Sequence, residues 1–187
     1  MCVICDGGSE EELLSDEFVR IALHGFVMVA VEPAPTWAYT IGLLQSFDHP
    51  ELVVTGLPDD SAAHVMTGVV DRIREGERFT ASSPPVSLCD CTTAAFGAVH
   101  PAQWEQGRFD QWLRFYGWVG GEAPVAQAVQ VLWDRDGRFP PDPDFCGVHG
   151  SDCQPLLDQA PRHNVNTGGS REDRRRAKYG HGKRRRP

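Results

Sequence analysis

Lysine is missing from the first 161 residues of this 187-residue chain; Lys178 and Lys183 both fall within the last ten. The eight arginines before Arg162 stand against 24 acidic residues, so that part carries a net −16. A body of that sign repels phosphate backbones, which argues against nucleic acid as its own ligand and favours solubility. No run approaches the ~18 apolar residues of a membrane span, and the amino terminus has neither a basic nor an apolar export region. The expectation is a cytoplasmic protein with no membrane partner. In that compartment the six cysteines are expected to be reduced, so their even number does not argue for disulfides. There is no glycine-rich phosphate loop, no His-Glu-x-x-His pair, no nucleophile elbow and no internal repeat. The common phosphate-cradling, zinc-protease and serine-hydrolase signatures are thereby excluded.

What is present divides in two. From Arg162 onward ten basic side chains face two acidic ones, a net +8, in a stretch of Asn, Gly, Arg and Lys that is expected to be a disordered tail over 161–187. The tail is the one part able to attract nucleic acid or an acidic partner. Residues 1–160 are long enough for one core, because a body of about 150 residues buries roughly 68–70% of its unfolded surface.

Within that body Ser9-Glu10-Glu11-Glu12 reads as a capping box, and Leu13, Leu14, Phe18, Val19 and Ile21 form the stripe of a first helix ending near His24-Gly25. Residues 26–32 and 37–43 read as strands joined across Pro33 and Pro35, and 51–56 as a third. A second helix starts at Leu57-Pro58-Asp59 and closes at Gly76. Short β-rich pieces follow at 77–81, 86–91 and 95–99, then a helix over 109–116, a doubly buried strand over 126–133 and a proline-rich strap to about Pro155. The pattern predicts a single compact α+β domain. Its mainly antiparallel, twisted sheet has five to seven strands, with two or three helices covering one face.

The segment from Trp37 to Pro58 is the most distinctive, with Trp37-Ala-Tyr-Thr-Ile-Gly-Leu43 followed by His49-Pro-Glu-Leu-Val-Val-Thr-Gly-Leu-Pro58. With Met1-Cys2-x-x-Cys5-Asp6 and Gln130-Val-Leu-Trp133-Asp134-x-x-Gly137-x-Phe139-Pro140, it resembles the bacterial domain of unknown function 4262 family. The resemblance implies a fold class over most of the body, and no catalytic residues. The tail, Cys89/Cys91 and Cys146/Cys153 depart from the family pattern.

Three constellations carry candidate chemistry. Cys2 and Cys5 have the spacing to grip one tetrahedral ion, and Cys146, His149 and Cys153 are placed to complete a zinc site. The bland alternative is cysteine as a small buried hydrophobe. Cys89 and Cys91 would share a face on a regular strand, with Cβ atoms nearly 7 Å apart, and form a further ligand pair. Second, removal of Met1 would expose Cys2 as an amino-terminal thiol nucleophile. Third, the polar residues Tyr39, Thr40, Gly42, His49, Glu51 and Gln130 gather in the strands. His49 and Glu51 suit a base and an orienting carboxylate, and the set suits a ligand pocket. Thr40 as a strand former, Gly42 as a bulge and Gln130 as a partner for buried backbone are the structural alternatives.

Two functions follow. The first is a small-ligand or protein-binding accessory module that uses the Thr40/Gly42/His49/Glu51 end of the sheet. The second is a metal-dependent or thiol hydrolase-like enzyme that uses the Cys2/Cys5 pair and nearby His and Glu.

Overall fold

The computed structural model describes residues 7–31, 37–120, 127–142, 145 and 154–161. Cys2, Cys5, Cys146, His149, Cys153, the Pro33–Pro35 turn and the basic segment from Arg162 lie outside the described residues.

Helix α1 (Glu10–His24) starts at the expected capping box: the Ser9 hydroxyl accepts from the Glu12 amide and the Glu12 carboxylate accepts from the Ser9 amide. The reciprocal pair satisfies two of the helix's orphan donors, and the helix ends at Gly25 as the sequence indicates. Strand β1 (Val27–Val31) pairs antiparallel with β2 (Trp37–Ile41), and β2 with β3 (Glu51–Thr55). A short helix α2 (Leu43–Phe47) lies between β2 and β3, and helix α3 (Asp59–Arg74) follows β3. The hairpin β4 (Val86–Cys89) and β5 (Thr92–Ala98) leads through a 3-10 turn at Pro101–Gln106 into α4 (Asp110–Gly120) and the last strand β6 (Ala128–Trp133).

The six strands form one mixed sheet in the order β1-β2-β3-β6-β5-β4, antiparallel at every pairing except β3 with β6. Alternation along β2 separates two cores. Ala38 joins Leu52, Val54, Phe96 and Val131 beneath Val65, Met66, Val69 and Ile73 of α3. Trp37, Tyr39 and Ile41 join Leu14 and Ile21 of α1 and Trp112, Phe115 and Tyr116 of α4. Helices therefore cover both faces, where the sequence suggested one. An internal strand buried on both sides, such as β3 with all five residues buried, needs cover on each.

Three element boundaries also differ. Residues 77–80 form no strand; Phe79 is instead buried by stacking on Phe96 at 4.4 Å between ring centroids. The second strand stops at Ile41 and turns into α2. Helix α4 runs through Gly117 to Gly120, with Trp118 and Val119 exposed beyond Tyr116, its last buried residue.

Candidate functional site

The Trp37–Pro58 segment is built around the Glu51 carboxylate, which is 1% exposed. It accepts from Thr40 Oγ1 at 2.7 Å, from the Gly42 amide at 2.9 Å, from the Leu43 and Leu44 amides at 3.3 Å each, and from the Tyr116 hydroxyl at 2.8 Å. Helix α2 has no side-chain cap of its own, since Gly42 occupies that position. Glu51 supplies the cap from the neighbouring strand, at the end where the helix dipole favours negative charge. Gly42 is required twice: its φ is +110°, and a Cβ would come within 2.9 Å of the Ile21 side chain. Thr40 completes the arrangement by accepting the Leu52 amide at 2.8 Å where the β2–β3 ladder ends. Burial pushes the Glu51 carboxyl above the usual carboxylate range, and the bonds from Thr40, Tyr116, Gly42 and Leu44 oppose that shift. Burial and the adjacent Glu51 raise the Tyr116 hydroxyl, which keeps it a proton donor.

His49 is also fully enclosed. Its Nδ1 lies 2.6 Å from the Pro50 carbonyl and its Nε2 accepts from the Phe79 amide at 2.9 Å, which assigns the neutral Nδ1–H tautomer. Burial, helped by the Arg78 charge, holds its pKa below the ordinary value of 6.5, against the pull of the Pro50 carbonyl. A depressed histidine contributes stability above its unfolded pKa, and that contribution is lost as pH falls through about 6.5 toward the folded value. His49→Gln, which retains an acceptor for the Phe79 amide and does not titrate, is therefore expected to flatten the loss of stability between about pH 7 and pH 5. Urea midpoints of both chains across that range check this, and parallel pH profiles would remove His49 as the source.

Gln130 holds the strap. Its Nε2 donates to Thr55 Oγ1 at 3.1 Å and to the Pro155 carbonyl at 2.7 Å, while its Oε1 accepts from the Leu157 amide at 2.9 Å. Tyr39 is 1% exposed beneath Phe109, and burial raises its pKa strongly. Tyr39, Thr40, Gly42, His49, Glu51 and Gln130 thus belong to interior packing and hydrogen-bonding sets: Glu51 with Thr40 and Gly42, His49 with Phe79, Gln130 with the strap.

A different set reaches solvent. Three residues at four-residue spacing on α3 face β4 in antiparallel order: His64 meets Cys89 and Cys91, Gly68 meets Leu88, and Arg72 donates to the Ser87 carbonyl at 2.6 Å. Consecutive residues of a regular strand point to opposite faces, yet Leu88 and Cys89 both turn toward α3. The register shift between Ser87 and Cys89 permits it, the mark of a β-bulge. Gly68 lets the hairpin come close, since a Cβ there would stand 3.2 Å from Leu88 Cβ. Cys91 does not continue the strand as expected. It lies in the tight turn before Thr92, and its sulfur is bonded to that of Cys89, with Cα atoms 5.2 Å apart. The expectations of cysteines without a disulfide and of a regular-strand pair both give way here to the bulge and turn.

His64 Nε2 lies 3.7 Å from Cys89 Sγ and 3.9 Å from Cys91 Sγ, and all three ligand atoms are within 4.8 Å of one another. His64 and Cys91 line a cleft of about 410 Å³ whose wall also includes Asp60, Ser61, Thr92 and Trp133. Asp134, on the same wall, is already committed: its carboxylate accepts from the Thr93 and Gly137 amides. A second open cleft, about 450 Å³ beside β1, contains Arg20 and Arg74. Arg20 is paired with Asp16 and Arg74 with Asp71 and the His24 carbonyl. Sequence reasoning missed His64, an exposed helical histidine with no local signal. The trace it left was a glycine four residues on, inside an otherwise regular helix.

A mixed six-stranded α+β domain with a soft-donor cluster at one hairpin is the class that this geometry defines. Among the described residues, no helix is long and apolar enough to cross a membrane. The chain belongs to the DUF4262 family, a domain of unknown function, whose family model matches residues 20–146. That span includes the Glu51 network, His64, Cys89 and Cys91. No curated protein and no solved structure matches the chain.

Proposed function

We propose that the protein is a small-ligand-binding accessory module whose ligand is a soft metal cation, zinc foremost, held by His64, Cys89 and Cys91 when the two sulfurs are reduced. The observation that carries this is the placement of one imidazole nitrogen and two sulfurs within 4.8 Å of one another, beside a cleft that His64 and Cys91 line. Zinc–sulfur bonds of about 2.3 Å and zinc–nitrogen bonds of about 2.0–2.1 Å put tetrahedral ligands about 3.6 Å apart from sulfur to nitrogen. The two S···N distances of 3.7 and 3.9 Å are close to that value. Reduction would free the sulfurs to take the roughly 3.8 Å separation that two zinc thiolates need. Thiolates and an imidazole also suit zinc or copper(I) better than they suit hard cations such as magnesium. The ligating form is thus the reduced one, which thiol reductants reach by opening the Cys89–Cys91 bridge.

The cleft favours a second reading, a metal-dependent hydrolase. Three protein ligands leave a fourth position, the arrangement that distinguishes catalytic from structural zinc. Asp60 and Ser61 stand on the cleft wall that this position would face.

The test is metal uptake by the reduced full-length chain. Zinc bound by the wild type should exceed that of Cys89→Ser/Cys91→Ser by about one equivalent, and His64→Ala should weaken that equivalent by about a hundredfold or more. Equal stoichiometry in the wild type and the double variant would contradict the reading, whatever the remaining cysteines bind.

A further inference from the structure

We propose that Cys89 and Cys91 form a dithiol–disulfide couple that exchanges electrons with external thiols, Cys91 being the sulfur attacked and Cys89 the sulfur that leaves. The inference goes beyond metal binding and does not depend on it, although both rest on the same three side chains.

A bridge between residues two apart closes a very small loop, and a disulfide's constraint on the unfolded chain grows with loop length. This one adds little to folding, so a stabilising role explains it poorly. Exposure separates its two sulfurs: Cys91 is exposed at the tip of the hairpin, and Cys89 is partly covered against α3. Access decides which sulfur an incoming thiolate reaches.

The contacts of Cys89 point the same way. The Cys91 amide donates to Cys89 Sγ at 3.3 Å, and His64 Nε2 stands 3.7 Å from that sulfur. These contacts hold Cys89 Sγ in place against α3, while Cys91 Sγ is the sulfur left open to an incoming thiolate. Cys91 Sγ has the more distant contact with His64, at 3.9 Å.

In the reductive direction a thiolate RS⁻ attacks Cys91 Sγ. An RS–S(Cys91) bond forms, the Cys89–Cys91 bond breaks, and its electron pair leaves on Cys89 as thiolate. A second RS⁻ attacks the outer sulfur of the mixed disulfide, releasing RSSR and the Cys91 thiolate. Two electrons pass from two thiols to the pair, and the protons shed by the two incoming thiols balance the charge on the Cys89 and Cys91 sulfurs. The reactants are thus monothiols or dithiols of the glutathione class and their disulfides. The couple also gates the cleft, because sulfurs joined to each other offer no thiolate to a metal.

The test uses the full-length chain with a chelator present, so metal uptake plays no part. The air-oxidised wild type is treated with excess reduced glutathione, quenched, alkylated and mapped by peptide mass spectrometry. The expected result is a Cys89–Cys91 bridge before treatment and two alkylated thiols after it. In a parallel arm, Cys89→Ser exposed to oxidised glutathione should accumulate a mixed disulfide at Cys91, about tenfold or more faster than Cys91→Ser does at Cys89. A bridge absent from the oxidised chain, a bridge that survives excess glutathione, or equal loading of the two variants would overturn the proposal. Because zinc is excluded throughout, these failures are distinct from a failure of metal binding.

Discussion

Glu51→Ala is expected to lose about 3–5 kcal/mol of folding stability, because several buried donors lose one shared acceptor at once. Glu51 accepts from five donors, three of them backbone amides at the start of α2; the bonds from Thr40, Gly42, Leu43 and Tyr116 are buried and that from Leu44 is partly buried. Each buried donor left without an acceptor costs about 1–3 kcal/mol, and the costs do not add fully because the site relaxes. Against a typical total of about 5–15 kcal/mol the loss is large enough to move the urea midpoint of the whole transition. Glu51→Gln should recover only part of it, because its amide turns two more hydrogens toward groups that already donate. A cost below about 1 kcal/mol for Glu51→Ala would mean that α2 does not depend on this carboxylate.

Gln130→Ala should have the next largest effect, about 2–4 kcal/mol, for a related reason. One side chain satisfies the Pro155 carbonyl and the Leu157 amide, and Leu157 is 2% exposed within the second core. Removing it leaves the Leu157 amide without its acceptor in apolar surroundings, while the Pro155 carbonyl keeps only the Thr55 hydroxyl at 2.8 Å. Gln154 still donates to the Val131 carbonyl, and Thr55, His100 and Gln103 donate to the Pro155, Leu157 and Gln159 carbonyls, so the strap is loosened rather than released. The variant should therefore show faster hydrogen exchange over residues 154–161 than the global loss accounts for. Exchange that accelerates uniformly across the chain would contradict the strap's dependence on Gln130.

The parts of this fold that were legible in the sequence are the locally specified ones. The Ser9/Glu12 box, the stripe of α1, the β1–β2 hairpin and the α3 boundaries arise from residues within one or two turns of each other. Helix α2 was not legible, because Leu43 reads as the end of a strand, the four residues after it are too few to show a helical period, and its cap comes from Glu51 on the next strand. Phe79 reads as strand for a similar reason: the group fixing its backbone is His49, 30 residues earlier.

The polar set in Trp37–Pro58 was legible as residues and not as roles, since pattern alone does not separate a buried satisfied carboxylate from an exposed catalytic one. The His64–Cys89–Cys91 group shows the same limit in reverse. Cys89 and Cys91 were visible as a pair, but the bulge that turns them to α3 and the histidine they meet are tertiary facts.

The claim that these three side chains form a metal site is tested most directly by X-ray absorption on the reduced, zinc-loaded chain in which Cys2, Cys5, Cys146 and Cys153 are replaced by serine. The account predicts a shell of two sulfurs at about 2.3 Å with nitrogen or oxygen at about 2.0–2.1 Å, and the loss of one imidazole from that shell in His64→Ala. A shell without sulfur, or no zinc retained at all, would contradict it.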